Sequence, residues 1–113
     1  MPEVVFPHSI PKPARKQSVR TCAGHRAWVR RHYCSVRDCK SGPIHCAHVR
    51  DGTDGGAGMK PSDKWTISLC EFHHTEQHRI GEKAFQEKHS IEMVDLAMEF
   101  ARRSPFRWKL SLM

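Results

Sequence analysis

Apolar positions along the chain follow two spacings. From Ile91 to about Arg103, Met93, Leu96, Ala97 and Phe100 recur at three- and four-residue intervals, the stripe of a helix that keeps one face on a core. Ser90 stands where an N-cap belongs, Glu92 falls in the first turn, and Ser104 and Pro105 end the pattern. After a break at Gly81, EKAFQEKH predicts a shorter helix anchored by Ala84 and Phe85. Upstream, AGHRAWVRRH (23–32) places Ala27, Trp28 and Arg31 at helical spacing. A short helix is expected there, with Trp28 packed inward and Arg26, Arg30 and Arg31 on its wet side. Two stretches alternate instead. IHCAHV (44–49) puts Ile44, Cys46 and His48 on one strand face and His45 and Ala47 on the other, and WTISL (65–69) puts Trp65, Ile67 and Leu69 on one face. Between them, RDGTDGGAGMKPSD holds four glycines and reads as a long, flexible, functional loop that can approach a phosphate closely. The second strand runs into a histidine-rich helix. The pattern as a whole is α+β, a ββα unit with flanking helices.

That helix, LCEFHHTEQH (69–78), carries the densest chemistry. Cys70 and His73 are three apart and His74 and His78 four apart, so each pair shares a helical face, but successive residues turn by roughly 100° and the pairs point apart. Two sites are therefore expected rather than one. The histidine spacing also fits H-E-x-x-H metalloproteases, but Thr75 stands where the catalytic glutamate belongs and Glu76 points to the far side of the helix. Upstream, Cys34 and Cys39 flank a short turn containing Arg37 and Asp38 and can chelate one ion as a pair. With Cys70 and His73 they complete a Cys3His set for a structural zinc.

Composition supports a metal-stapled domain. The 113 residues are 38% hydrophobic, which allows only a modest core, and small domains of this kind often add metals or disulfides. The five cysteines are odd in number and no long apolar run opens the chain, so a reducing, cytoplasmic setting with zinc-type cysteines is expected. No stretch approaches the roughly 18 apolar residues of a membrane span. The formal charge of +7 and pI near 9.5 suit a polyanionic partner such as nucleic acid. Residues 1–20 contain Pro2, Pro7, Pro11 and Pro13 with Lys12, Arg15, Lys16 and Arg20. They read as an extended basic arm ahead of a domain over 21–105, with 106–113 as a tail that docks on the domain or on a second subunit.

Taken in order, Cys34, Cys39, His48, Asp63, Cys70, His73, His74 and His78 resemble the pattern of HNH endonucleases of the ββα-metal superfamily. AHVRDGTDGGAGMKPSD followed by SLCEFHHTEQH resembles its phage and prophage branch, which includes the phage RecA-dependent nuclease. The likeness covers about residues 25–103. It implies that His48 is the general base, that Asp63 takes the central asparagine-type position that pins the loop to that histidine, and that His74 and His78 bind the catalytic metal. It also implies that Cys34, Cys39, Cys70 and His73 hold structural zinc. One position departs: family members usually have a metal-binding Asp or His just before the base, where this chain has Ala47. The metal would then rest on His74, His78, waters and substrate phosphate, or recruit His45.

Phosphodiester hydrolysis needs a base for water and a cation for the developing charge, and a neutral imidazole suits the first task. Imidazole ligands favour zinc or nickel, while a site short of ligands can take magnesium or manganese, so the ion stays open among the four. Arg50, Lys60, Arg26 and Arg30, with the arm, are expected to hold DNA by its phosphates with little sequence preference, with a recombinase or phage protein as a further partner. The competing class is a non-catalytic zinc module that binds nucleic acid or protein. His48, His74 and His78 are surplus to such a scaffold.

Overall fold

A computed structural model describes residues 20–56 and 58–113; the basic arm, apart from Arg20, lies outside them. Seven elements follow in order: α1 (Ala23–Val29), β1 (Ile44–His48), β2 (Thr66–Cys70), α2 (Glu71–Ile80), α3 (Glu82–His89), α4 (Met93–Arg103) and α5 (Arg107–Leu110). No helix among the described residues is long and apolar enough to cross a membrane.

The two strands form an antiparallel hairpin, with Ile44 opposite Cys70, Ala47 opposite Ile67 and His48 opposite Thr66. Directly opposed residues share a face, so Ala47, Ile67 and Leu69 sink together into the core with Phe85, Met93 and Ala97. All five β2 residues are buried, because helices cover both faces of so small a sheet. α2 starts where β2 ends, with Cys70 as its N-cap. The direction of the helix and the position of its histidines are therefore fixed by the last strand residue.

Several local expectations change. The buried stripe of α1 is His25 and Val29, which leaves Trp28 half-buried with its ring edge-on to His32 and Phe100. One position of helical rotation separates the two readings. Ser90 does not begin α4. It ends α3 in the left-handed region at φ 53°, ψ 47°, and Glu92 precedes α4, whose first turn is capped by Gln86 Oε1 accepting from the Met93 amide at 2.7 Å. The glycine-rich loop is fastened, not loose. Arg20 donates to the Lys60 carbonyl at 3.0 Å, Asp54 accepts from the Ser62 amide at 3.0 Å, and Glu82 accepts from the amides of Arg50 and Asp51. The tail docks on its own domain: Leu110 is buried and the Phe106 ring lies so close over Gly24 that a Cβ there would sit 2.3 Å from it.

Candidate active site

The hairpin places His48 at the end of β1, where its Nε2 meets Asp63 Oδ1 at 2.9 Å. Asp63 is 2% exposed. Its other oxygen accepts from the Cys22 amide at 2.7 Å and pairs with the Arg26 guanidinium. Burial works against the charge, but the hydrogen bonds from His48, Cys22 and Arg26 outweigh it and hold the carboxyl at about 2. Asp63 is thus a carboxylate at neutral pH, and it fixes the His48 ring with Nε2–H as donor and Nδ1 as the unshared pair.

From the facing side, α2 carries His74 and His78. Their Nε2 atoms lie 3.1 Å apart, near the separation of about 3.3 Å that two imidazole nitrogens take as tetrahedral ligands of one zinc-sized ion. Burial first, then the nearby His78, His45 and His48, lower His74 to about 4, which keeps one ring nitrogen unprotonated at neutral pH. His48, His74 and His78 line one cleft of about 640 Å³, together with Arg26, Arg50 and Lys60. Arg30 is exposed and does not line that cleft. The floor is tied to the base by Gln77, whose Nε2 donates to the His48 carbonyl at 3.2 Å.

The sulfur ligands gather on the other face of α2. Asp38 takes the left-handed conformation at φ 63°, which short polar side chains tolerate, and this turns Cys39 back toward Cys34. The turn is moored to β2 by the Ser35 amide donating to the Ser68 carbonyl at 2.8 Å. Cys34, Cys39, Cys70 and His73 then bring their ligand atoms within 4.8 Å of one another. Cys39 Sγ to Cys70 Sγ is 3.8 Å, and His73 Nδ1 lies 3.2 and 3.4 Å from the sulfurs of Cys70 and Cys34. A tetrahedral zinc with ordinary bond lengths sets sulfur–sulfur edges of about 3.8 Å and sulfur–nitrogen edges of about 3.6 Å. The cluster could hold zinc without rearrangement. Burial pushes the Cys34 thiol up to about 11, so a cation is what would make a buried thiolate favourable there.

A family model described as "Putative HNHc nuclease" matches residues 2–102. The chain belongs to this family. No curated protein and no solved structure matches the chain.

In this HNHc nuclease family member, the structure brings together His48 with Asp63, His74 with His78, and the four residues of the Cys3His set. The partners of three further side chains have no signal in the sequence. His45 Nδ1 lies 2.9 Å from His74 Nδ1. The strand reading put it on the face opposite His48, but nothing local says that α2 packs over that face. Arg26, a phosphate contact on sequence grounds, is also the counter-ion of Asp63, a long-range pairing with no sequence signal. Glu76 does point away from His74, into a buried pairing with Lys88 at 2.7 Å and with His89. These partners, Lys88 first, hold its carboxyl at about 2.

Proposed function

We propose that this chain is a metal-dependent endonuclease that hydrolyses DNA phosphodiester bonds with little sequence preference, using His48 as general base. The observation that carries the reading is the Asp63-bound His48 facing the same cleft as the His74–His78 pair. With Nε2–H committed to the carboxylate, His48 Nδ1 takes a proton from water, and Asp63 stabilises the resulting imidazolium. The oxygen of that water bonds to phosphorus as the P–O bond to the leaving sugar oxygen breaks. A divalent cation held by His74 and His78 would supply neutralisation of the charge that builds on phosphate and leaving oxygen. Arg50, Lys60 and the exposed edge of Arg26 supply backbone attraction, and contacts of this kind carry little sequence information. Cys34, Cys39, Cys70 and His73 take the structural zinc, and the phage and prophage branch, with a recombinase partner, is the finer placing we favour.

The test is plasmid nicking with added magnesium, manganese, zinc or nickel, comparing the wild type with His48→Ala. Metal-dependent nicking that falls by about 10²–10⁴-fold in the variant is expected. No nicking with any of the four ions would leave only a non-catalytic zinc module, and equal nicking by the variant would remove His48 as the base.

A further inference from the structure

Ala47, which occupies the position where a metal-binding side chain was expected, is fully buried among Ile67, Leu69, Phe85 and Met93. A longer polar side chain at 47 would enter this core, not the cleft. Two residues earlier on the same strand face, His45 reaches α2 instead, through Nδ1 at 2.9 Å from His74 Nδ1. The rings meet edge to face, with centroids 5.2 Å apart at 81°.

An imidazole can give an ion only the nitrogen that lacks a proton, and a partner on the other nitrogen decides which one that is. His74 faces His45 with Nδ1 and His78 with Nε2. One ion can bond one of these two nitrogens. Among the described residues, His45, His74 and His78 do not offer three nitrogens around one point, as the Cys3His set offers its four atoms. Nor does His45 line the cleft that His48, His74 and His78 share.

We propose that His45 is a positioning residue: its Nδ1 accepts the Nδ1–H of His74 and so keeps the Nε2 of His74 as the free pair beside His78. The inference rests on His74 and His78 being the metal ligands. It makes position 45 compensate for Ala47 from behind the site rather than within it.

Two measurements on the zinc-loaded full chain test it. The first is the tautomer of His74 by long-range nitrogen–proton NMR, before and after a second equivalent of zinc. Protonation at Nδ1 in both states, with the metal on Nε2, is expected; an Nε2–H tautomer, or metal on Nδ1, overturns the assignment. The second is calorimetric titration of nickel into wild type, His45→Ala and His45→Gln, each carrying its structural zinc. Alanine should weaken the second site by about 10–100-fold, as loss of a partner behind a metal ligand does, and glutamine, whose amide oxygen can accept the same proton, should restore most of it. Equal affinity in wild type and His45→Ala overturns the inference and leaves the nuclease reading standing. A wild type that binds no second ion overturns the nuclease reading, while the His74 tautomer still decides the role of His45.

Discussion

The two faces of α2 carry the same ligand type to opposite ends. His73 closes a set of three sulfurs and a nitrogen, all within 4.8 Å of one another, enough to fill every position of a tetrahedral ion. His74, one residue later, opens with His78 onto a cleft of about 640 Å³ whose walls carry Arg26, Arg50 and Lys60. A filled, closed ligand set suits a structural ion, and a pair of ligands with room around them suits an ion that must also meet a substrate. The difference comes from one step of helical rotation of roughly 100°. A dense run of ligands in sequence is thus divided by geometry between holding the fold and facing solvent.

The widest gap between the two faces should appear when zinc is removed. Exhaustive chelation, or Cys70→Ser, should abolish the dispersed amide spectrum of the folded chain, because a zinc held there would tie the Cys34–Cys39 turn, β2 and α2 together in a domain with a small core. A spectrum that stays native without zinc would make the quartet dispensable. Asp63→Ala strikes the other face. It should slow nicking by about 10–100-fold by freeing the His48 ring, and cost about 2–4 kcal/mol in denaturant unfolding, below the full cost of breaking a buried pair because the Arg26 side chain is 34% exposed. The zinc content of this variant should not change.

Acid should act more gradually, and mainly on the groups around Asp63. His25 is fully buried. Thr66 Oγ1 donates to the Asp63 carbonyl and so accepts from His25 Nε2–H, while His25 Nδ1 accepts from Ser104 Oγ. Burial lowers His25 to about 4, against the opposing pull of Asp63. Since its folded value lies below the unfolded value of about 6.5, its contribution is complete above pH ~6.5 and is lost as pH falls toward 4. Asp63, held at about 2, keeps its contribution down to about pH 4 and loses it toward 2. The losses are on the order of 3–4 kcal/mol for His25 and 2–3 kcal/mol for Asp63. Melting temperature against pH should therefore fall in two stages, and His25→Gln should shrink the upper one, which His74, also lowered to about 4, shares. A flat profile from pH 7 to 5 in the wild type would contradict the buried neutral histidine.

What could be read from the sequence was what local spacing controls. The hairpin face of Ile67 and Leu69 and the division of Cys70 and His73 from His74 and His78 follow from periods of two and 3.6 residues, and the closure of Cys34 and Cys39 follows from the short turn between them. What depended on packing was not legible. Ser90 has the chemistry of an N-cap, but the turn between α3 and α4 needed a residue in the left-handed region, and that requirement prevailed. The His45–His74 contact depends on where α2 lies across β1, and the Arg26–Asp63 pair spans 37 positions, so neither had a local signal. Ala47 looked like a gap in a ligand set because sequence does not show that its face is core.

If adjacent histidines serve separate ions, His73→Ala and His74→Ala must fail in different ways. Zinc retained after dialysis and metal-dependent nicking should be measured on both. The account predicts that His74→Ala keeps one zinc per chain and its fold while nicking collapses, and that His73→Ala loses tightly held zinc and the fold with it. Loss of the retained zinc in His74→Ala, or full zinc and full nicking in His73→Ala, would contradict the division of the helix between its two faces.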